Sequence, residues 1–389
     1  MISNNFILQD GDVWDVIVIG AGIAGGMTAL KLAAAGWRVL IVDKTAFPRE
    51  KVCGGFMGPE NTELLRDTGI LEKMNRTSMI PLEQMWMTSP RGASVRMPFS
   101  GASGPGLAVY RKNLDSAIVK CACEKGAVFI SPAAAEKKAA GVYLIQSPHQ
   151  KKSVKIFARH AIDARGGAAL EETPIMGFGM TAYFEGVRWM KNRVVLHFAD
   201  GGHFGLDPVL GDRVAGCFVA TQAMINRVGK NPEKLFTDFL RQNRFLASQM
   251  KKAKRVSGWQ GIPVRLSRKP LFFADGFFRV GDAVATVDPI VGGGMTLALQ
   301  GACMLTESLT AYQLGRVDEL QVIRSYEKKW KQSFAWKLPL SHLWGPIGHK
   351  PFFTELMLRL LGAQRNLLNK LFEWHHSDLP TIQKWEGAA

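Results

Sequence analysis

Residues Asp15–Gly20 read DVIVIG and run directly into Ala21-Gly22-Ile23-Ala24-Gly25. The first six form a continuous β-branched run, the pattern of a strand buried on both faces of a parallel sheet. Gly26–Ala35 then has helical spacing with few breakers, and a second apolar run, Arg38–Val42, ends in Asp43. Strand, glycine turn, helix, strand and an acid about 20 positions on make up a dinucleotide-binding unit. Gly20 permits the tight turn, Gly22 lets the backbone approach a pyrophosphate, and Gly25 lets the helix pack closely on the sheet. The helix N-terminus offers free N–H groups and a positive dipole end to phosphate, and Asp43 can accept from ribose hydroxyls. A lone glycine pattern is weak; here its strand, helix and acid are all in place. It does not by itself separate NAD from FAD.

The chain of 389 residues suits two domains, or one large α/β domain carrying an inserted lobe. With 47% hydrophobic and 21% charged residues it is globular in composition, which excludes wholesale disorder. No run of about 18 apolar residues points to a transmembrane helix. Forty-nine Lys plus Arg against 33 Asp plus Glu leave a charge of +16, spread over short clusters such as Lys251, Lys252, Lys254 and Arg255. Such clusters suit a solvated surface, or attraction to anionic cofactors, substrates or lipid headgroups. No nucleic-acid-binding module accompanies them, so nucleic acid is not an expected partner. The five cysteines are too few and too irregular for a disulfide framework, and no cluster has metal-ligand spacing. The first ten residues carry no secretory pattern. The expected location is the cytoplasm, with peripheral membrane contact as a further expectation.

Three later stretches resemble a known group. Phe47–Gly55 reads FPREKVCGG and resembles the FPR-x-K-x-CGG segment of FAD-dependent oxidoreductases of the geranylgeranyl reductase type. These share a fold group with the aromatic (p-hydroxybenzoate hydroxylase-like) hydroxylases, squalene epoxidase-like enzymes and flavin halogenases. Arg279–Ala283 followed by Asp288–Met295 resembles the group's second flavin motif, GDA…DPxxGxG, and Tyr110–Asp115 resembles its R-x-x-L-D helix start. The resemblance spans residues 12–320.

It implies an α/β protein: a Rossmann-like FAD-binding domain with an inserted antiparallel β-sheet substrate domain and a C-terminal helical tail. The FAD-binding domain would comprise 12–83, 99–170 and 271–320, the substrate domain 84–98 and 171–270, and the helical region 321–389. FAD would be held by Gly20, Gly22, Gly25, Asp43, Lys44, Arg49, Arg111, Asp163, Gly281, Asp282, Gly292, Gly294 and Met295. Cys53, Pro289 and Gly293 would border the reacting ring. Taken alone, Arg49 and Arg111 each read as surface ion pairs. Asp282, at the end of the short strand Phe277–Val280, suits a ribityl hydroxyl or an N-cap. The helix read over Thr296–Thr310 would aim its N-terminus at the flavin. Cys53 reads either as a thiol serving the substrate cavity or as small core packing.

Several departures bear on the reaction. The GADG-like stretch of the hydroxylases becomes Asp163-Ala164-Arg165-Gly166, which weakens the expectation of direct reduction by NADPH. The halogenase WxWxIP string is absent. The prenyl reductases' YxWxFP strand survives only as His203–Pro208, HFGLDP. His197 and His203 alternate with apolar residues and suit structural roles or a substrate face. Pro232–Lys251 reads as one amphipathic helix. The aromatic, basic tail containing Trp330, Phe334 and Trp336 reads as a layer behind the substrate pocket, or as a face for a membrane or greasy substrate.

The first expected reaction is monooxygenation of an aromatic or polyketide-like molecule through a flavin C4a-hydroperoxide. The second is geranylgeranyl reductase-like reduction of isoprenoid double bonds, with Cys53 near the reacting carbon. A non-catalytic flavin-binding redox partner is the reading from another class. The electron donor would be NADPH or a separate protein, the substrate a hydrophobic small molecule, and the oligomeric state is left open.

Overall fold

The computed structural model describes residues 6–363 apart from 75–77, 100–103, 149, 151, 171–172 and 292. Val13–Ile19 is a central strand, and Val16, Ile17 and Val18 are wholly buried. It runs parallel to Val39–Val42 on one side and to Val154–Asp163 on the other. Val128–Ile130 extends the sheet beyond Val39–Val42, and Phe277–Arg279 extends it beyond Val154–Asp163. An antiparallel hairpin, Ala134–Ala139 and Val142–Gln146, pairs onto Val154–Asp163. The glycine turn leads into the helix Ile23–Ala34, which packs against the helices Arg111–Glu124 and Gly294–Gln313. A Cβ on Gly26 would lie 2.7 Å from Ile118 Cγ2, so this glycine sets the close approach of two helices. Each Leu, Ile or Val buried here contributes about 1.5–3 kcal/mol.

The second sheet orders its strands as Lys254–Arg255, Ile175–Glu185, Arg213–Thr221, Gly202–Leu210, Arg193–Ala199, Gln84–Thr88 and Ser94–Pro98, with Gln260–Arg265 also paired to Ile175–Glu185. It is antiparallel except where Arg193–Ala199 meets Gln84–Thr88 in parallel. A crossover from the first part of the chain delivers that strand, so the purely antiparallel expectation is corrected at one pair. Phe56–Met57, Met79–Leu82 and Gly106–Val109 form a separate three-stranded sheet whose strands flank Gln84–Thr88 and Ser94–Pro98 in sequence.

Two helix readings are also corrected. Pro232–Lys251 is two helices, Pro232–Gln242 and Arg244–Met250. Buried Asn243 takes an extended conformation between them, and its side chain accepts from the amides of Phe245 and Leu246, both at 3.1 Å. An asparagine cap thus restarts the helix. The helix read over Thr296–Thr310 runs from Gly294 to Gln313.

The tail forms helices Glu319–Phe334, Lys337–Gly348 and Pro351–Ala363; residues 364–389 lie outside the described ones. Tyr326, Trp330 and Phe334 are buried in the core of the nucleotide-binding layer, where Trp330 packs edge-on against Phe272. The last helix reaches the second sheet through Leu358, which clusters with Val95 and Met97, and His349, at the end of the helix before it, stacks on His203 of the same sheet. The tail therefore braces both layers. Leu343, Phe352, Phe353, Leu356 and Leu360 stay exposed.

Candidate active site

Gly20 has φ +105°, and a Cβ there would lie 2.5 Å from the Ala164 carbonyl oxygen. On Gly25 a Cβ would fall 1.9 Å from the Gly20 oxygen. Both positions therefore exclude any side chain, and the turn is held tight against the strand ends. On Gly22 the nearest atom would be Arg49 Nη2, at 3.7 Å. Gly22 caps the helix with no side-chain acceptor, and the first turn carries no acid. Unpaired amides, the positive helix end and an arginine thus converge on one open point, which is what a pyrophosphate requires. On this evidence of shape and charge, FAD fits.

Asp43 is buried and already engaged. One oxygen accepts from the Ala21 amide at 2.8 Å and pairs with Arg49 at 3.4 Å; the other accepts from Thr45 at 2.9 Å. It stiffens the turn it was expected to serve, and retains lone pairs for a ribose hydroxyl. Lys44 beside it is exposed.

Asp115 is the hub of the opposite side. It is 1% exposed, receives two hydrogen bonds from Arg111 at 2.8 and 3.0 Å, and lies 3.6 Å from Arg49. The reading of Arg49 and Arg111 as surface pairs is therefore corrected: a shared buried carboxylate fixes both guanidinium groups. Burial works against the Arg111 charge, but Asp115 and Cys53 outweigh it and raise its pKa. Asp282 sits on the short turn Gly281–Ala283. This turn presses on the first helix where a Cβ on Gly281 would lie 2.7 Å from Ala24 Cβ. Desolvation lifts the Asp282 carboxyl, and Lys51 and Arg111 pull it back.

Asp163 ends its strand bound by Arg165 through two bonds of 2.9 and 2.8 Å. Pro289 is exposed and opens a short turn whose Ile290 amide donates to Asp288. Gly293, at φ +89°, caps the helix that Gly294 begins; Met295 is buried. Gly292 lies outside the described residues.

The Cys53-Gly54 segment meets the second sheet. A Cβ on Gly54 would stand 2.6 Å from Asp207 Oδ2 and 4.0 Å from Cys217 Cβ. Asp207 is 3% exposed, and its Oδ1 has no hydrogen-bond partner. Burial raises its carboxyl to about 7 and the Cys217 thiol to about 12. Thr181 donates to Cys217 Sγ at 3.2 Å. Nearby, Glu50 accepts from the hydroxyls of Tyr110 and Tyr183 at 2.5 and 2.9 Å. These three residues, with Arg213 and Trp259, line a cavity of about 420 Å³. Burial and Glu50 raise both tyrosine pKa values.

Asp207, Glu50 and Tyr183 were not singled out from the sequence. The available signal for Asp207 was a lone acid inside the apolar run Phe204–Val209. His197 is structural: it is fully buried between Thr88, at 2.7 Å, and Gln249, at 2.8 Å, and burial lowers its pKa to about 4. His203 stacks on His349. Among the described residues no His/Cys/Asp/Glu group could hold a metal, and no helix is long and apolar enough to cross a membrane.

The nucleotide turn and the buried arginine pair belong to an FAD-dependent oxidoreductase. The family described as FAD binding domain matches residues 13–128. Conditioned medium factor receptor 1 of Dictyostelium discoideum is 23% identical over 87% of this chain and 71% of its own. Digeranylgeranylglycerophospholipid reductase 1 of Methanococcoides burtonii is 26% identical over 83% and 81%, and menaquinone reductase of Mycobacterium tuberculosis 25% over 79% of each. The flavin-dependent brominase Bmp2 shares the fold at 17% identity, covering 96% of both chains with a TM-score of 0.80. The chain carries an FAD-binding domain and has the fold shared by flavin-dependent halogenases and hydroxylases.

Proposed function

We propose that this enzyme reduces an isolated double bond in a hydrophobic, isoprenoid-type substrate. The observation that carries the reading is the buried acid Asp207. Burial raises its carboxyl to about 7, one of its oxygens has no hydrogen-bond partner, and it faces the Cys53-Gly54 segment. Saturating an unactivated double bond needs a hydride at one carbon and a proton at the other. Bound FAD in its reduced form supplies the hydride. The chain supplies the rest. The glycine turn, Arg49, Arg111 and Asp282 would hold the cofactor. The wall of Cys53, Cys217 and Thr181 would exclude water, and Asp207 would deliver the proton and be reprotonated from solvent. The two reductase relatives, each matched over about four-fifths of both chains, support the same reading. NADPH or a separate redox protein would supply the electrons.

Hydroxylation of an aromatic or polyketide-like molecule stands second, because it rests on the shared fold without a residue in the chamber that favours it. The exposed apolar residues of the last helices, with Lys350 and Arg359 among them, would meet the surface of the membrane that carries such a substrate. The test is product mass after turnover with a geranylgeranyl-chain lipid or a menaquinone. A gain of two hydrogens supports reduction; a gain of one oxygen overturns it.

A further inference from the structure

Lys337 begins the helix Lys337–Gly348 and is 4% exposed. Its Nζ lies 3.0 Å, and its Cε 3.7 Å, from the point a Cβ on Gly293 would occupy. Glycine at 293 thus leaves the space into which the ammonium extends. Gly293 is also the cap of the 20-residue helix Gly294–Gln313, which has no side-chain cap and no acid in its first turn. Among the described residues no acceptor lies within hydrogen-bond reach of Lys337 Nζ; the Trp336 ring lies beneath it, 4.6 Å from the ring centroid. Burial lowers its pKa to about 8, with Glu60 opposing, so the amine is charged at neutral pH. Glu60 itself is taken up by Thr296, at 2.6 Å, and Asn61, at 3.1 Å. A buried cation and a positive helix end therefore converge on one point, where the Glu60 carboxylate offsets part of the charge but bonds Thr296 rather than the ammonium. The ammonium is left buried without a hydrogen-bond acceptor, a costly state that an anionic ligand edge would relieve.

We propose that Lys337 and the Gly293–Met295 turn form the seat for the anionic edge of the reduced flavin, so that Lys337 sets how readily the bound FAD is reduced. The inference rests on the reading that FAD lies against this turn. Two electrons entering an isoalloxazine ring leave negative charge on its pyrimidine edge. A fixed ammonium there stabilises the reduced form, while the oxidised, neutral ring gains little.

The test is the midpoint potential of bound FAD in the wild type, K337M and K337R. K337M should lower the reduction equilibrium constant at least tenfold, about 30 mV for a two-electron couple, while K337R stays near the wild type. Equal potentials in all three overturn the proposal. A second readout needs no variant. Sulfite adds its lone pair to the oxidised ring and leaves the same edge anionic, so the wild type should bleach with sulfite; a wild type that forms no adduct overturns the seat. A protein that takes up no FAD would instead sink the functional reading itself.

Discussion

Asp207 Oδ2 stands 2.6 Å from the point where a side chain on Gly54 would begin. The two residues come from different parts of the fold: Gly54 follows the nucleotide-binding strand Val39–Val42, and Asp207 lies in the strand Gly202–Leu210 of the second sheet. Their approach is possible only because residue 54 is glycine, and it places a buried acid against the segment that carries Cys53.

Replacing Asp207 should separate stability from turnover. Its folded pKa of about 7 lies above the ordinary carboxylate value. Folding therefore binds a proton between roughly pH 4 and 7, and stability falls as pH rises through that window. Asp207→Asn removes an uncompensated buried charge. It should raise stability at pH 8 by on the order of 2–4 kcal/mol, measured by urea unfolding. Turnover should drop about 10²–10³-fold, as expected on losing a general acid. Wild-type turnover should decline above pH 7.

Gly54→Ala should force the Asp207 carboxyl aside. FAD content and spectrum should stay normal while turnover falls at least tenfold, measured under saturating substrate. Cys53→Ala should cost much less than Asp207→Asn, because the proton is assigned to the carboxyl. A larger loss for Cys53→Ala would move the acid role to the thiol.

Asp115→Asn should weaken FAD binding although Asp115 faces the arginines rather than the cofactor. It leaves Arg49 and Arg111 buried without their shared counter-charge, a loss of about 3 kcal/mol by analogy with broken buried pairs. Fluorescence titration of apoprotein with FAD should show at least a tenfold higher Kd.

Phe352 and Phe353 are exposed on the last described helix. The wild type should sediment with anionic vesicles, and Phe352→Ser with Phe353→Ser should reduce that fraction at least tenfold at unchanged FAD content. Salt should weaken the wild-type binding only partly, since apolar contact adds to charge.

The nucleotide turn was legible because its glycines, the strand before them, the helix after them and Asp43 all fall within one short stretch of chain, although the atoms that forbid a side chain on Gly20 belong to the distant Ala164. The helix break at Asn243 was not, because its capping geometry is fixed by Thr88 and Phe198, distant in sequence. Arg49 and Arg111 were picked out as candidate cofactor residues, but their placement depends on Asp115, which links two separate motifs. Asp207 and Lys337 escaped notice for one reason: each is a single charge inside an apolar element, and only the packing of a remote segment makes it a site. Where sequence reasoning fails, buried charge is what it fails to place.

The most direct test of double-bond reduction is to reduce the bound FAD with dithionite, remove the excess, and add a geranylgeranyl-chain lipid or a menaquinone without oxygen. Return of the visible flavin bands, with one saturated product formed per flavin, is the expected result. Bands that stay bleached with both substrates until air is admitted, with an oxygenated product then appearing, would contradict it.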